Sequence, residues 1–358
     1  MSKLIERLIR PEIQDLDAYQ VPDAAGLIKL DAMENPYTWP QGLRREWLEA
    51  LQAVHLNRYP DPRGDELRAV LRASMGIPDA TGLLLGNGSD ELIQLLALAV
   101  ARPGRRMLSL DPGFVMYRMI ALLTGMEYVG VPLQAEDFSL DLPALLAAIT
   151  REQPAIIFIA YPNNPTGNLF DTDAVVRIIE AAPGLVVVDE AYAPFTNRSF
   201  LPRFGDWPNL LVMRTLSKMG LAGLRLGYLA GSNDWLAEID KTRLPYNISV
   251  LSQVSATFAL RHREVLDEQT QRIRTERSRL FTALSGLDGV RPYPSETNFI
   301  LLRVPTGRAD ECFESLKRGG VLVKNLDGTQ PLLEDCLRVT VGRPEENDTF
   351  LAALESAL

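Results

Sequence analysis

Thr215-Leu216-Ser217-Lys218-Met219-Gly220-Leu221-Ala222-Gly223-Leu224-Arg225-Leu226-Gly227-Tyr228 is the stretch that decides the fold. The chain has six lysines among its 37 Lys and Arg residues, and five of them stand in mixed polar segments. Lys218 alone is enclosed by hydroxyls, small residues and aliphatics. Such surroundings desolvate an amine, lower its pKa and leave it neutral enough to attack a carbonyl as a Schiff-base lysine. Thr215, Ser217 and Arg225 are the donors that a phosphate group uses. The bland alternative is a lysine whose stem is buried in a Gly-rich loop.

Working outward, short β-rich runs cover residues 83–85, 107–110, 128–131, 155–160, 185–188, 210–214 and 226–230. Helical patterns at 90–101, 142–149 and 172–182 lie between several of them. Strand–helix alternation predicts an α/β fold, with a mostly parallel seven-stranded sheet covered on both faces. Ligands of such sheets bind at the carboxyl ends of strands, where the chemically rich residues of this chain fall. Past residue 232 the chain turns helical and charged, and after 290 an α+β pattern follows. This reading gives a large domain over 36–240 and a smaller α+β domain from 1–35 and 241–358.

Composition narrows the function. With 358 residues, a net charge of −9 and a pI near 5.0, the chain is not built for nucleic acid or anionic lipid. No apolar run reaches membrane-spanning length, and the amphipathic start Met1–Arg10 has no apolar core, so a cytoplasmic protein is expected. Two cysteines without CxxC spacing and two histidines argue against a disulfide framework and against any metal site. No G-x-S-x-G elbow supports a serine hydrolase, and no G-x-G-x-x-G follows the first strand for a nicotinamide enzyme.

Three further loops carry chemistry. Gly86-Asn87-Gly88-Ser89-Asp90-Glu91 joins a strand to a helix whose free N–H groups suit an anion. Tyr161-Pro162-Asn163-Asn164-Pro165-Thr166-Gly167 offers the Asn164 amide from a stiff turn. Val186-Val187-Val188-Asp189-Glu190-Ala191-Tyr192 puts a carboxylate at the end of an apolar strand, a costly position unless it is paired. A Walker-B reading of Asp189-Glu190 needs a P-loop, and none is present. Gly-rich turn, Asn-Pro turn, strand-end Asp and Ser-Lys loop together describe a site for pyridoxal 5'-phosphate.

The chain resembles the fold-type I PLP-dependent aminotransferases, class II subgroup, and within them the histidinol-phosphate aminotransferase family, over residues 25–355. The N-N-P-T-G, D-E-A-Y and S-K…G-L-R-L-G-Y elements carry the broader resemblance. The narrower one rests on Glu34-Asn35-Pro36, Arg58-Tyr59-Pro60-Asp61, Gly86–Glu91 with the stretch from Asp111 to Tyr117, and Cys336-Leu337-Arg338-Val339-Thr340-Val341-Gly342. The resemblance implies that Lys218 bonds the cofactor, Asp189 pairs with its ring nitrogen, and Asn164 and Tyr192 hold its ring oxygen. It implies Phe114 stacked on the ring, and Ser89, Asp90, Thr215, Ser217 and Arg225 on the phosphate. Tyr59 would reach the neighbouring subunit's phosphate in a homodimer with shared sites. Arg338, Asn35 and Tyr19 would bind the substrate. The implied reaction moves an amino group from L-histidinol phosphate to 2-oxoglutarate, in histidine biosynthesis. An aromatic amino-acid aminotransferase or a threonine-phosphate decarboxylase of the same fold is the alternative. The interval of seven from Lys218 to Arg225 is one shorter than in many members.

Overall fold

A computed structural model describes residues 3–18 and 21–358. Its main sheet has seven strands: β1 (Gly82–Gly86), β2 (Arg106–Asp111), β3 (Glu127–Pro132), β4 (Ile156–Ala160), β5 (Leu185–Asp189), β6 (Leu210–Thr215) and β7 (Gly227–Gly231). Their order is β1-β7-β6-β5-β4-β2-β3. Only β7 runs antiparallel to its neighbours; the other pairings are parallel. The seven β-rich runs of the sequence are these seven strands, shifted by a residue or a few at the ends.

The two faces of the sheet follow from side-chain alternation along each strand. Leu185 and Val187 of β5, with Ile156, Phe158 and Ala160 of β4, pack in one apolar cluster. Val186 and Val188, with Ile157 and Ile159, pack in another on the opposite face. Every residue of β4 and β5 is buried, as a sheet covered on both sides requires. Helices α1 (Ser89–Val100) and α2 (Val115–Thr124) cover the first face through Leu92, Leu96, Tyr117 and Ile120.

A second sheet of four short antiparallel strands comprises β8 (Arg291–Pro292), β9 (Phe299–Arg303), β10 (Lys324–Asn325) and β11 (Cys336–Thr340), in the order β10-β11-β9-β8. Ile28–Lys29 pairs in parallel with Val321–Leu322, tying the N-terminal segment to this C-terminal part. The long helix α3 (Arg263–Ser285) joins the two regions. Its Leu266 packs in the core of the main sheet, whereas Ile273, Leu280 and Leu284 pack in the core of the smaller one. The sequence puts the division near residue 240. The apolar core changes over later, inside α3, because Ala256, Ala259 and Leu260 of the preceding helix Val250–Arg261 still pack on the large core.

Candidate active site

The carboxyl ends of β4, β5 and β6 open onto a cavity of about 380 Å³. Asn164, Asp189, Tyr192, Thr215, Ser217, Lys218, Arg225, Phe114, Ser89 and Asp90 all line it. These ten were picked from the sequence, and the fold brings them together from five separate segments.

Asp189 closes β5 on the face shared with Leu185 and Val187, and is 4% exposed. Tyr117 Oη donates to its Oδ2 at 2.6 Å and the Ala191 N–H to its Oδ1 at 3.0 Å. No cation pairs with it among the described residues. Burial therefore dominates and lifts its pKa from 3.8 to about 6, against the lowering effect of the Tyr117 bond. Glu190, the next residue, points to the opposite face by strand alternation. There it accepts from Arg214 Nε at 2.9 Å and Nη2 at 2.7 Å, and from Ser199 Oγ at 2.8 Å. Two adjacent carboxylates thus have separate jobs: one faces the cavity and one ties β5 to β6 from behind.

Lys218 sits in a single turn of 3-10 helix, Ser217–Met219, at the end of β6. Burial of its amine, reinforced by the positive charge of Arg338, pulls its pKa from 10.5 down to about 8. Its Nζ lies 5.8 Å from the centre of the Tyr192 ring. Tyr192 Oη accepts from Asn164 Nδ2 at 3.1 Å, and burial drives its phenol well above the ordinary range.

At the other end is an anion cradle. Thr215 Oγ1 donates to Ser217 Oγ at 2.9 Å, and α1 begins at Ser89. Arg225 Nη2 stands 3.3 Å from Asp90 Oδ2, half exposed, so the short Lys218–Arg225 interval still delivers the guanidinium here. Gly88 has φ +83°, and a Cβ on it would lie 2.8 Å from Arg225 Nη2. Only glycine leaves this turn open. Hydroxyls, guanidinium and helix start suit a phosphate. An uncompensated carboxylate at the far end suits a protonated ring nitrogen. A partly neutral amine lies between them. The residues present fit pyridoxal phosphate.

Arg338 on β11 is 8% exposed, so it is not a solvent-facing strand arginine. Its Nη1 donates to Asn164 Oδ1 at 2.7 Å and its Nη2 to the Asp31 carbonyl at 3.0 Å. Its guanidinium stands 5.2 Å from the centre of the Phe299 ring. Asn164 therefore bridges Tyr192 and Arg338, linking the two halves of the site.

Arg338 is not itself among the residues lining the cavity and meets it through Asn164; three further sequence expectations fall elsewhere. Asn35 does not line the cavity; its side chain is bonded to Met219 and Gln269. Tyr59 is 80% exposed and stacked on Tyr246 at 4.4 Å, away from this chain's cavity. Tyr19 lies outside the described residues. The sequence reading missed two residues. Tyr117 follows Phe114 by three positions, one helical turn, so its closeness to the cavity was within reach of periodicity. Lys324 stands directly opposite Arg338 in the β10–β11 register, and opposite residues share a face.

Comparison with known proteins agrees with this geometry. The family aminotransferase class I and II matches residues 25–354. The chain is 56% identical over 352 residues to histidinol-phosphate aminotransferase 2 of Nitrosococcus oceani, covering 98% of each chain. It is 54% identical to histidinol-phosphate aminotransferase of Chromobacterium violaceum, covering 99% of each. Among solved structures, histidinol-phosphate aminotransferase from Sinorhizobium meliloti in complex with pyridoxal-5'-phosphate superposes with a TM-score of 0.87. That match is 27% identical and covers 98% of this chain and 97% of that one.

Proposed function

The chain belongs to the class I and II aminotransferases, and from that premise we propose that it transfers the amino group of L-histidinol phosphate to 2-oxoglutarate. The products are imidazole acetol phosphate and L-glutamate, and the cofactor is pyridoxal 5'-phosphate. One arrangement carries the reading: a buried arginine joined through Asn164 to Tyr192, beside a lysine whose amine burial holds near pKa 8.

Bound in this cavity, pyridoxal phosphate supplies an electron sink for the pair left when the substrate's Cα loses its proton. Asp189 keeps the ring nitrogen protonated, because a buried carboxylate at this point has no other cation. Asn164 and Tyr192 hold the ring oxygen, and Phe114 covers one ring face. Ser89, Asp90, Thr215, Ser217 and Arg225 hold the cofactor's phosphate. Lys218 Nζ, kept partly neutral, takes the proton from Cα. Arg338 binds the anionic end of each substrate in turn, since a guanidinium fork fits a phosphate and a carboxylate alike.

The same reading makes the active unit a cytoplasmic homodimer. Tyr59, exposed and stacked on Tyr246, would complete the partner's phosphate site, and its exposure supports that reading. The large domain takes residues 36–240 and the small domain 1–35 and 241–358, a division supported by the pairing of Ile28–Lys29 with Val321–Leu322. The test is a steady-state assay of the purified protein with candidate amines and 2-oxoglutarate. Histidinol phosphate should give the highest kcat/KM for glutamate formation. A preference for phenylalanine, or release of carbon dioxide from threonine phosphate, overturns the proposal.

A further inference from the structure

Asn35 spends its polar atoms on the protein. Its Nδ2 donates to the Met219 carbonyl at 3.2 Å and to Gln269 Oε1 at 3.0 Å, and its Oδ1 accepts from the Tyr37 N–H at 2.9 Å. Both amide hydrogens are used. Gln269, on the buried side of α3, donates in turn from Nε2 to the Thr38 carbonyl at 3.1 Å. The Met219 carbonyl is the first after Lys218. Gly220 beyond it has φ +108°, and a Cβ there would stand 2.8 Å from Asn35 Nδ2, so the chain leaves room for this contact.

The residues just before Asn35 are anchored on the substrate side. Arg338 Nη2 donates to the Asp31 carbonyl at 3.0 Å. The Met33 N–H donates to Thr340 Oγ1, and Asn298 Nδ2 donates to the Met33 carbonyl, both at 2.9 Å. Met33 and Glu34, between the two anchor points, form part of the cavity wall. Residues 31–35 thus form a strap running from the substrate-side arginine to the turn that carries the lysine. That turn is three residues of 3-10 helix, too short to hold one pose by its own hydrogen bonds.

We propose that Asn35 is a positioning residue for Lys218: with Gln269 it clamps the Met219 carbonyl to the strap and fixes where the lysine amine stands relative to Arg338. The inference rests on the aminotransferase reading above. A residue acting this way governs the step in which the amine moves a proton, and leaves the affinity of the anion site alone.

The test uses the cofactor-loaded enzyme and the variants Asn35→Ala, Gln269→Met and the double variant. Loss of one or two neutral hydrogen bonds should lower kcat about 3- to 10-fold, with KM for histidinol phosphate within about twofold of wild type. The double variant should lose less than the product of the single losses, because the two side chains act through one contact. The second readout needs no amine substrate. It is the pH midpoint of the cofactor's absorbance change, which should move up by roughly half a pH unit as a loosened turn admits water and favours the protonated nitrogen. If Asn35→Ala raises KM and spares kcat, Asn35 touches substrate and the proposal falls. If both variants lower only the melting temperature, with midpoint and kcat unmoved, the clamp is structural and the proposal also falls. Should Asn35→Ala fail to fold, Gln269→Met decides by the same criteria. A wild-type enzyme that binds the cofactor but ignores histidinol phosphate overturns the substrate assignment alone, and the midpoint still decides Asn35.

Discussion

Replacing Asp189 by Asn should stabilise the cofactor-free fold and destabilise the loaded one. In the empty site the Asp189 pKa is raised by burial from 3.8 to about 6. The folded chain then holds on to a proton that the unfolded chain releases between those values. Stability therefore falls as pH rises from below 3.8 through 6, and the loss is complete above that range. A shift of about two pH units corresponds to about 3 kcal/mol at neutral pH, taken as an upper figure. Asparagine removes the charge and keeps its neighbours satisfied. Its Oδ1 accepts from the Ala191 N–H, and its Nδ2 donates to Tyr117 Oη, since a phenol hydroxyl both donates and accepts. The assay is chemical denaturation of cofactor-free wild type and Asp189→Asn at pH 4, 6 and 8. The variant's advantage should be near zero at pH 4, grow through pH 6 and level off by pH 8. With cofactor bound the order should invert, because the amide cannot hold the ring nitrogen protonated. A cofactor-free wild type that is the more stable protein at pH 8, or an advantage independent of pH, refutes the reasoning.

Tyr117→Phe removes the 2.6 Å bond that keeps Asp189 ionised, so the acid limb of cofactor affinity should move from about pH 6 to higher pH, read by absorbance titration. The rate of cofactor loading should climb with pH and level off above about 8, where Lys218 is neutral, and Lys218→Ala should abolish loading that survives borohydride reduction and dialysis. Arg338→Leu loses charge-assisted bonds worth about 1.5–3 kcal/mol, so affinity for histidinol phosphate and for glutamate should each drop about 10- to 100-fold in single-turnover measurements. Mixing inactive Tyr59→Ala with inactive Lys218→Ala should restore part of the activity through mixed dimers, and sedimentation of an active monomer would contradict the shared site.

The sheet and most of the cavity were legible in the sequence because each signal is local. An apolar run reads as a strand, and a polar residue at or just past its end reads as a candidate ligand; the fold brings Asp189, Asn164 and Thr215 into one cavity wall. What stayed hidden depends on residues far apart in the chain. Tyr117 meets Asp189 across 72 positions, Arg338 meets Asn164 across 174, and Asn35 meets Gln269 across 234. No spacing rule reaches such pairs; only the packing of α2 on the main sheet, or of the small sheet and α3 against it, makes them. Asn35 shows the cost of the difference. The resemblance implied a substrate contact for it, whereas Glu34 lines the cavity and the Asn35 side chain turns to the Met219 carbonyl next to Lys218. The change of core inside α3 was hidden for the same reason, since a charged helix surface gives no sign of which core its other face enters.

The opposite shifts at the two reactive groups have one physical cause. Burial disfavours the charged form of each, so it raises the Asp189 pKa and lowers that of Lys218, bringing a 3.8 and a 10.5 to about 6 and about 8. At neutral pH both groups remain mostly charged, but burial makes each charge costly, and in the proposed reaction one ligand would relieve both. In that proposal a protonated ring nitrogen would give the Asp189 carboxylate its missing counter-charge, and a lysine bonded to the cofactor would no longer carry a buried positive charge. The cavity is therefore held in tension by a fold that is stable elsewhere, in the two-faced core of β4 and β5 and in the Glu190–Arg214 pair behind the site. That division of labour explains why Glu190 faces away. A second carboxylate turned toward the cavity would raise the Asp189 pKa further, whereas on the far face Glu190 is paired with Arg214 of β6.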